Sequence, residues 1–489
     1  MNWIGKAAIV AMALAASVPA TAATVADDAT TQAAQASREN NAGVEALQQN
    51  QPETAVTHLK AAHALEPGNV VVTRNLVAAL NGRAANLARE GRADDAERDY
   101  LEALELDSDD PATIRHLVSF LNNRAVALMR QRRMEDARRS FQRVLSLLPQ
   151  VSETSITRQI QYNYSQFLKI AGDAKADVQQ PDQARALYSE ALAGSPNDAA
   201  TLAALADLDY EADEYPAALE RYQKALAAAT APEQSDLRAV LEQRIDTLRK
   251  EMAIEAGFVT IRDRFGRFQV TFPKDLPKAM VAQVLQTLNE AYSKIGGDFD
   301  RYPSRPLRVK IYTRAQANAI QQIPEWVTGY FDGKLRLLDE RLAGGPTLLR
   351  GSIFHEYTHA IIHQMAGEPV PSWMHEGLAQ IEDPNRKVTV RDARNLAARV
   401  RSGGLAALAD MSRPFERNES GDRMPLVYLE SRAFVSFMVE RYGWEKVRQV
   451  LRETRRTGNF DAAFKSTYGM TPADLEKQWR AWLLEQDKP

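Results

Sequence analysis

Two histidines four residues apart, His355 and His359, with Glu356 beside the first, have the spacing of a zinc-binding helix. On a helix, residues i and i+4 project from the same side, so the two imidazoles can hold one metal ion. Glu356 then points toward the open side of the metal, where it can take a proton from a metal-activated water molecule and return it to a leaving amine. The spacing predicts zinc-dependent hydrolysis.

Three side chains compete for the place of the third metal ligand. Glu376 lies early in the next predicted helix, from which it completes the usual catalytic set of two histidines and one glutamate. His363 continues the i+4 series, but three ligands along one straight helix spread over about 12 Å, too far for bonds of about 2 Å. His375 projects from another side of the second helix. Geometry favours Glu376 and leaves His375 as the open alternative.

Composition excludes several other kinds of site. The 489 residues include no cysteine, which excludes disulfides, a thiol nucleophile and cysteine-bound zinc. A formal net charge of -3 gives no indication of nucleic-acid binding. The chain is too long for one ordinary core, and we expect two domains.

The first 23 residues have the pattern of a secretory signal peptide. Lys6 precedes an apolar segment at residues 7–18, and residues 20–22 form a small-residue cleavage site. The apolar segment is shorter than the roughly 20 residues that a membrane-spanning helix needs. We therefore expect cleavage near Ala22 and Ala23, and a periplasmic or secreted bacterial protein whose mature chain has no integral membrane segment.

Residues 24–250 have a nearly continuous helical pattern that repeats every 41 residues, as at Ala55, Ala96 and Ala137. Small residues at fixed positions let paired helices approach closely. Segments such as residues 215–226 resemble the second helix of a tetratricopeptide repeat, although the family period is ~34 residues. The longer period predicts about five repeats with long first helices, stacked as an all-α solenoid.

Four asparagines on the predicted first helices, Asn40, Asn81, Asn122 and Asn163, keep the same spacing. First helices commonly line the concave face of a solenoid, where stacked amides can hydrogen-bond the backbone of an extended protein partner. Contacts inside the repeat stack are the alternative explanation, because internal repeats copy structural residues as readily as functional ones.

After Ile254 the pattern becomes that of a mixed α+β domain, predicted to extend over residues 254–489. The predicted strands are residues 258–261, 268–272 and 307–312 and a hairpin at residues 329–337. The segment 334–337, just before the zinc-binding helix, is a candidate edge strand for pairing with an extended substrate. From residue 346 onward the chain is mainly helical.

The C-terminal half resembles the peptidase MA-like family of gluzincins, metallopeptidases with a thermolysin-type core that often follow tetratricopeptide repeats. The matching segments are residues 324–326, 329–337, 355–360, 371–379, 428–437 and 442–443. The resemblance implies that His355, His359 and Glu376 bind zinc, that Glu356 is the general base and acid, and that the substrate is a protein or peptide.

Tyr428 could place a phenol on the developing oxyanion, as a tyrosine does in other gluzincins. Its helical spacing from Phe434 and Phe437 is also typical of a core residue. Two other functions stay open: a repeat-based scaffold or assembly factor whose metallopeptidase-like domain is catalytically silent, and hydrolysis of a non-peptide amide. The intact Glu356 favours an enzyme, because a silent site needs no base beside its metal.

Overall fold

The computed structural model describes residues 21–178, 180–323, 329–367, 370–412 and 424–486. Residues 1–20 of the expected signal peptide and residues 324–326 of the family resemblance lie outside the described residues. Contacts divide the chain into two compact units, Met1–Leu168 and Lys169–Pro489. Within the described part, no helix is long and apolar enough to cross a membrane.

Paired helices follow one another along the chain, as the repeat predicts. The described residues form five pairs: α1 (Thr21–Gln48) with α2 (Pro52–Leu65), α3 (Val70–Arg89) with α4 (Ala93–Leu106), α5 (Pro111–Arg130) with α6 (Met134–Leu147), α7 (Thr154–Asp177) with α8 (Pro181–Gly194), and α9 (Ala199–Glu211) with α10 (Tyr215–Ala228). The repeated residues Ala55, Ala96 and Ala137 are completely buried. The predicted helical repeats, with first helices longer than second helices in the first four pairs, are therefore confirmed.

The repeated asparagines make contacts inside the helix stack. Asn81 donates to Thr113 Oγ1 at 2.6 Å, and Asn163 donates to Asn122 Oδ1 at 3.0 Å. Asn75 donates in the same way to Asn40 Oδ1 at 2.8 Å. Asn81 and Asn122 are buried. These contacts favour the structural explanation, because a buried amide that already bonds a neighbouring helix is poorly placed to bind a partner.

A groove in the first unit is lined in part by Asn81, one of the four repeated asparagines. It has a volume of about 1210 Å³ and is lined by Arg89 on α3 and by His116, Ser119 and Asn123 on α5, among others. Asn123, one position beyond the repeated Asn122, projects from a different side of α5. The groove residues, and not the repeat-spaced asparagines as a set, are the candidates for contact with a partner.

The second unit contains a mixed sheet. Its five strands in the described residues are β1 (Phe258–Arg262), β2 (Phe268–Pro273), β3 (Leu307–Tyr312), β4 (Gly329–Phe331) and β5 (Leu335–Leu338), in the order β1-β2-β3-β5-β4. Strands β2, β3 and β5 are parallel, whereas β1 and β4 are antiparallel to their neighbours. The strand predictions are confirmed, but the predicted edge position of residues 334–337 is wrong. The hairpin inserts β5 beside β3, so β4, and not β5, lies at this edge of the sheet in the described residues.

The second unit also contains the remaining helices. They are α11 (Ser235–Glu255), α12 (Lys278–Phe299), α13 (Arg314–Ile320), α14 (Asp339–Ala343), α15 (Pro346–Ala366), α16 (Ser372–Glu382), α17 (Val390–Ser402), α18 (Met424–Thr457), α19 (Phe460–Tyr468) and α20 (Pro472–Gln486). Helix α15 packs with α12 and the sheet in one apolar core that includes Val309, Leu337 and Ile353. The solenoid followed by an α+β domain is the predicted fold class.

Helix α11 continues through the predicted domain boundary at residues 250–254 and ends at Glu255. Helices α8–α11 belong to the same compact unit as the sheet. The boundary between a repeat domain at residues 24–250 and a catalytic domain at residues 254–489 stays a prediction. The compact unit that contains the sheet begins earlier, because the last repeat helices also contact it.

Candidate metal centre

Helix α15 carries the two histidines and is held by apolar packing. Pro346 occupies its first turn, where the absent backbone N–H is not needed. Ile353 and Tyr357 are completely buried in the core formed with the sheet. Because this packing fixes the helix, it also fixes the directions in which His355 and His359 project.

Three side chains that could hold a metal ion converge beside this helix. Nε2 of His355 lies 3.1 Å from Nε2 of His359. The Glu376 carboxylate lies 3.4 Å from Nε2 of His355 and 3.7 Å from Nε2 of His359. One ligand atom from each residue falls within 4.8 Å of the others. Two imidazole nitrogens and a carboxylate oxygen around one point are the donor set of a catalytic zinc ion with an open position.

The burial and the ionisation of the Glu376 carboxylate are both compatible with a bound cation. Its Oε2 atom is buried and makes no hydrogen bond of good geometry with the described residues. A buried oxygen of this kind costs free energy unless a positive charge or a donor compensates it. Burial alone would raise the pKa of Glu376, but the His359 and His355 imidazoles lower it to about 2. The carboxylate is therefore ionised and available as a ligand at neutral pH.

Close packing of two helices places Glu376 at the site. A Cβ added at Gly377 would lie 2.7 Å from the backbone oxygen of Ser431 on α18. Trp373, on the same helix as Glu376, is buried with its ring 5.2 Å from that of Phe434. Helix α16 therefore packs closely against α18, and Glu376 on α16 projects toward α15.

The other two candidate ligands, His375 and His363, make different contacts. Nδ1 of His375 is 2.7 Å from Nδ1 of His359, the ring nitrogen remote from the converging ligand atoms. The ring of His363 lies against Phe331 with 5.7 Å between centroids. The geometry therefore groups Glu376, and neither His375 nor His363, with the two motif histidines. The contact between His375 and His359 was not predicted, because it forms between two helices.

Glu356 lies beside strand β4. It is 6% exposed. Burial raises its pKa to about 7, with the negative charge of Glu376 adding to the effect and His355 opposing it. A carboxyl group that titrates near neutral pH is suited to taking and returning a proton. A Cβ added at Gly329 of β4 would lie 3.0 Å from Cγ of Glu356, so the edge strand borders this side chain.

Tyr428 projects from the first turns of α18. Burial and the negative charges of Glu376 and Glu356 raise the pKa of its phenol, so the hydroxyl keeps its proton at neutral pH. The residue is only partly buried, which distinguishes it from Phe434 in the core. The tyrosine is therefore within electrostatic range of both carboxylates and retains a proton for donation to a substrate oxygen.

Comparison with known proteins agrees with this geometry. Residues 287–485 match the family model described as the Peptidase MA superfamily. We refer to the matched residues 287–485 as the peptidase MA segment. The peptidase MA segment contains all three converging ligands, Glu356 and Tyr428, and it supports a metallopeptidase-like domain. It begins within α12, after β1 and β2.

Two other comparisons add little. No curated protein sequence matches the chain. A solved structure titled "Functional Characterization of Pseudomonas Aeruginosa pilF" is 19% identical over 46% of this chain and 88% of that chain, with a TM-score of 0.23. A TM-score this low supports no conclusion about the present chain.

Proposed function

We propose that the chain is a zinc-dependent metallopeptidase in which His355, His359 and Glu376 bind the metal and Glu356 moves the proton. The convergence of the three ligand atoms beside a buried carboxylate with a pKa near neutrality carries this proposal. Zinc in such a site would supply Lewis acidity that acidifies a water molecule and polarises a substrate carbonyl. Hydrolysis of a peptide bond follows from that chemistry and from the superfamily of the segment.

The chain's own residues supply the remaining functions. Glu356, as carboxylate, accepts a proton from water and then delivers it to the leaving amine. The Tyr428 hydroxyl donates a hydrogen bond to the carbonyl oxygen as negative charge develops there. Strand β4 lies beside Glu356 at one end of the sheet, and no other strand of the described residues pairs with its outer side, so this side can bind an extended substrate as one more strand.

The N-terminal part of the chain supports two further elements of the proposal. The signal-peptide pattern of residues 1–23 supports export to the periplasm or the medium. The groove lined by His116, Ser119 and Asn123 supports recruitment of a protein substrate or partner by the repeats. Cell fractionation of the full-length protein tests export, and pull-down with Asn123→Ala and Ser119→Ala variants tests recruitment through the groove.

Zinc content and peptide cleavage, measured together, test the central proposal. The proteins to compare are wild type, Glu356→Gln and Glu382→Gln, each incubated with an unbiased peptide library. Glu382 is a matched control, because it is also a buried glutamate but pairs with Lys294 at 2.9 Å instead of joining the ligand cluster. We expect about one zinc ion per chain in all three proteins. Cleavage should fall by about 100-fold or more in Glu356→Gln only.

Each other outcome rejects a named part of the proposal. Absence of zinc from the wild-type protein would remove the metal centre. Full cleavage by Glu356→Gln would exclude Glu356 as the base. Zinc binding without cleavage of any peptide by the wild type would favour the scaffold with a silent domain.

A further inference from the structure

A cluster of buried charges lies on the face of the sheet opposite α15. Three cations of this cluster are at most 2% exposed: Lys310 on β3, Lys334 next to β5, and Arg336 in β5. Lys334 donates to Asp213 at 2.8 Å, and Lys310 donates to Glu255 at 2.8 Å. The acidic partners come from the loop between α9 and α10 and from α11. The last repeat pair, α9 and α10, and helix α11 therefore supply the groups that cover this face of the sheet.

Arg336 is the most connected residue of this cluster. Its guanidinium lies 3.0 Å from the carboxylate of Glu251 on α11 and donates to the Tyr210 hydroxyl on α9 at 2.7 Å. It also donates to Asp332 in the turn of the β4–β5 hairpin at 2.9 Å and to the Tyr312 hydroxyl at 3.1 Å. One side chain thus joins the repeat helix α9, the following helix α11, the neighbouring strand β3 and the hairpin turn.

The Glu251 carboxylate completes this arrangement. It is fully buried and accepts hydrogen bonds from Tyr210 at 2.9 Å, Tyr215 at 2.8 Å and Tyr312 at 3.2 Å. A buried ion pair with all its oxygens bonded has little freedom to rearrange, because breaking one contact leaves a charge without compensation. Glu251 on α11 therefore fixes the position of the Arg336 side chain.

Arg336 also lies next to the strand that borders the metal centre. In the β4–β5 ladder it is opposite Tyr330, and its guanidinium lies 5.7 Å from the Tyr330 ring. A Cβ at Gly329 would lie 3.0 Å from both the backbone oxygen of Arg336 and Cγ of Glu356. Gly329 of β4 therefore lies next to both the backbone of Arg336 and the side chain of Glu356, the proposed general base.

We infer that Arg336, held by Glu251, is a positioning residue that fixes β4 beside Glu356, so that helices α9 and α11 are part of the catalytic apparatus. The functional consequence rests on the proposed peptidase activity, whereas the structural consequence does not. These helices lie outside the segment that matches the superfamily. In this chain the end of the repeat region thus supplies support for the substrate-binding edge.

Hydrogen exchange of the hairpin in the full-length protein tests the inference without reference to activity. The variant is Arg336→Met, and Lys310→Met is its matched control. Lys310 is an equally buried cation of the same cluster on the adjacent strand. It pairs with Asp213 and Glu255, which lie outside the hairpin. We expect exchange at residues 329–335 to accelerate about tenfold or more in Arg336→Met and to stay near the wild-type rate in Lys310→Met.

Kinetics separate positioning from general stability. In Arg336→Met, KM for a cleaved peptide should rise about tenfold, with a smaller change in kcat and an unchanged zinc content. Glu251→Gln should act in the same direction. If Arg336→Met does not fold, Arg336→Lys replaces it, because a lysine keeps the charge but cannot reach Glu251, Asp332 and Tyr210 together.

Equal hairpin exchange in Arg336→Met and Lys310→Met would overturn the inference and leave Arg336 with a structural role only. If the wild-type protein cleaves no peptide, the proposed function fails, but the exchange comparison still decides whether Arg336 fixes β4. The two failures are therefore distinguishable.

Discussion

Replacing Gly329 with alanine tests whether the edge strand and Glu356 are in direct contact. The added Cβ would lie 3.0 Å from Cγ and 3.3 Å from Oε1 of Glu356, and 3.0 Å from the backbone oxygen of Arg336. Ordinary contacts at such a position are 3.4–4 Å, so a neighbour has to move by a few tenths of an ångström. The Arg336 oxygen belongs to a backbone ladder, so the Glu356 side chain and β4 are the groups that shift.

The expected loss follows from the size of this displacement. A misplacement of about 1 Å at a reacting group costs about 100-fold in rate, so a shift of a few tenths of an ångström should lower kcat/KM about tenfold. Zinc content should not change, because Gly329 contacts none of the three proposed ligands in its closest approaches. The assay is cleavage of a library-selected peptide, with metal measured on the same samples.

Gly297→Ala is the matched control. Gly297 lies in α12, and a Cβ there would have no atom within 4 Å. The control should keep wild-type activity and gain about 0.5–1 kcal/mol of stability, because alanine favours a helix interior over glycine. Wild-type kcat/KM in zinc-loaded Gly329→Ala would refute the contact between β4 and Glu356.

Three further changes test other parts of the structure. Tyr428→Phe should lower kcat about 10-fold to 100-fold with zinc content unchanged, if its hydroxyl stabilises the oxyanion; equal kcat would assign it to packing. Gly377→Ala places a Cβ 2.7 Å from the Ser431 backbone oxygen and should reduce the free energy of unfolding in urea by about 1–3 kcal/mol. Burial alone would raise the pKa of Glu251, but the charge of Arg336 lowers it to about 2 from an ordinary 4.5. Because the folded-state pKa is the lower one, ionised Glu251 stabilises the fold above pH 4.5, and a contribution on the order of 3 kcal/mol is lost as the pH falls toward 2. Between pH 6 and pH 3, urea unfolding of wild type should show about 2 kcal/mol of this loss, because pH 3 is still above the folded-state pKa, and the loss in Glu251→Gln should be smaller by that amount.

The local part of the site could be predicted from sequence. His355 and His359 share a side of one helix because helical geometry fixes the spacing of i and i+4, and Glu356 follows from the same geometry. The helix pairs were equally predictable, because the buried positions recur every 41 residues. Both inferences depend on backbone geometry over a few turns and need no knowledge of packing.

Contacts between distant elements were harder to predict. Glu376 and His375 are neighbours in sequence, and the packing of α16 against α18 decides which of them faces the histidines. Asn81 and Asn122 show the same limit, because periodicity reveals a repeated position but not whether it is covered by the next helix. The edge strand was misassigned because pairing order within a hairpin depends on which strand meets β3.

The alternation of charged and apolar residues at Lys334, Leu335, Arg336 and Leu337 determined that this strand has one apolar face, which the structure packs against α15. Such alternation is typical of a strand with a solvated outer face. Only the tertiary structure decided that the charged face is also buried, because α9 and α11 cover it with tyrosines and carboxylates. Sequence by itself thus determined the ligands that one helix presents and the repeats that precede it. Only the tertiary structure decided that Glu376 lies with the two histidines, that β4 and not β5 is at the end of the sheet, and that α9 and α11 contact Arg336, because each depends on long-range packing that no local spacing encodes.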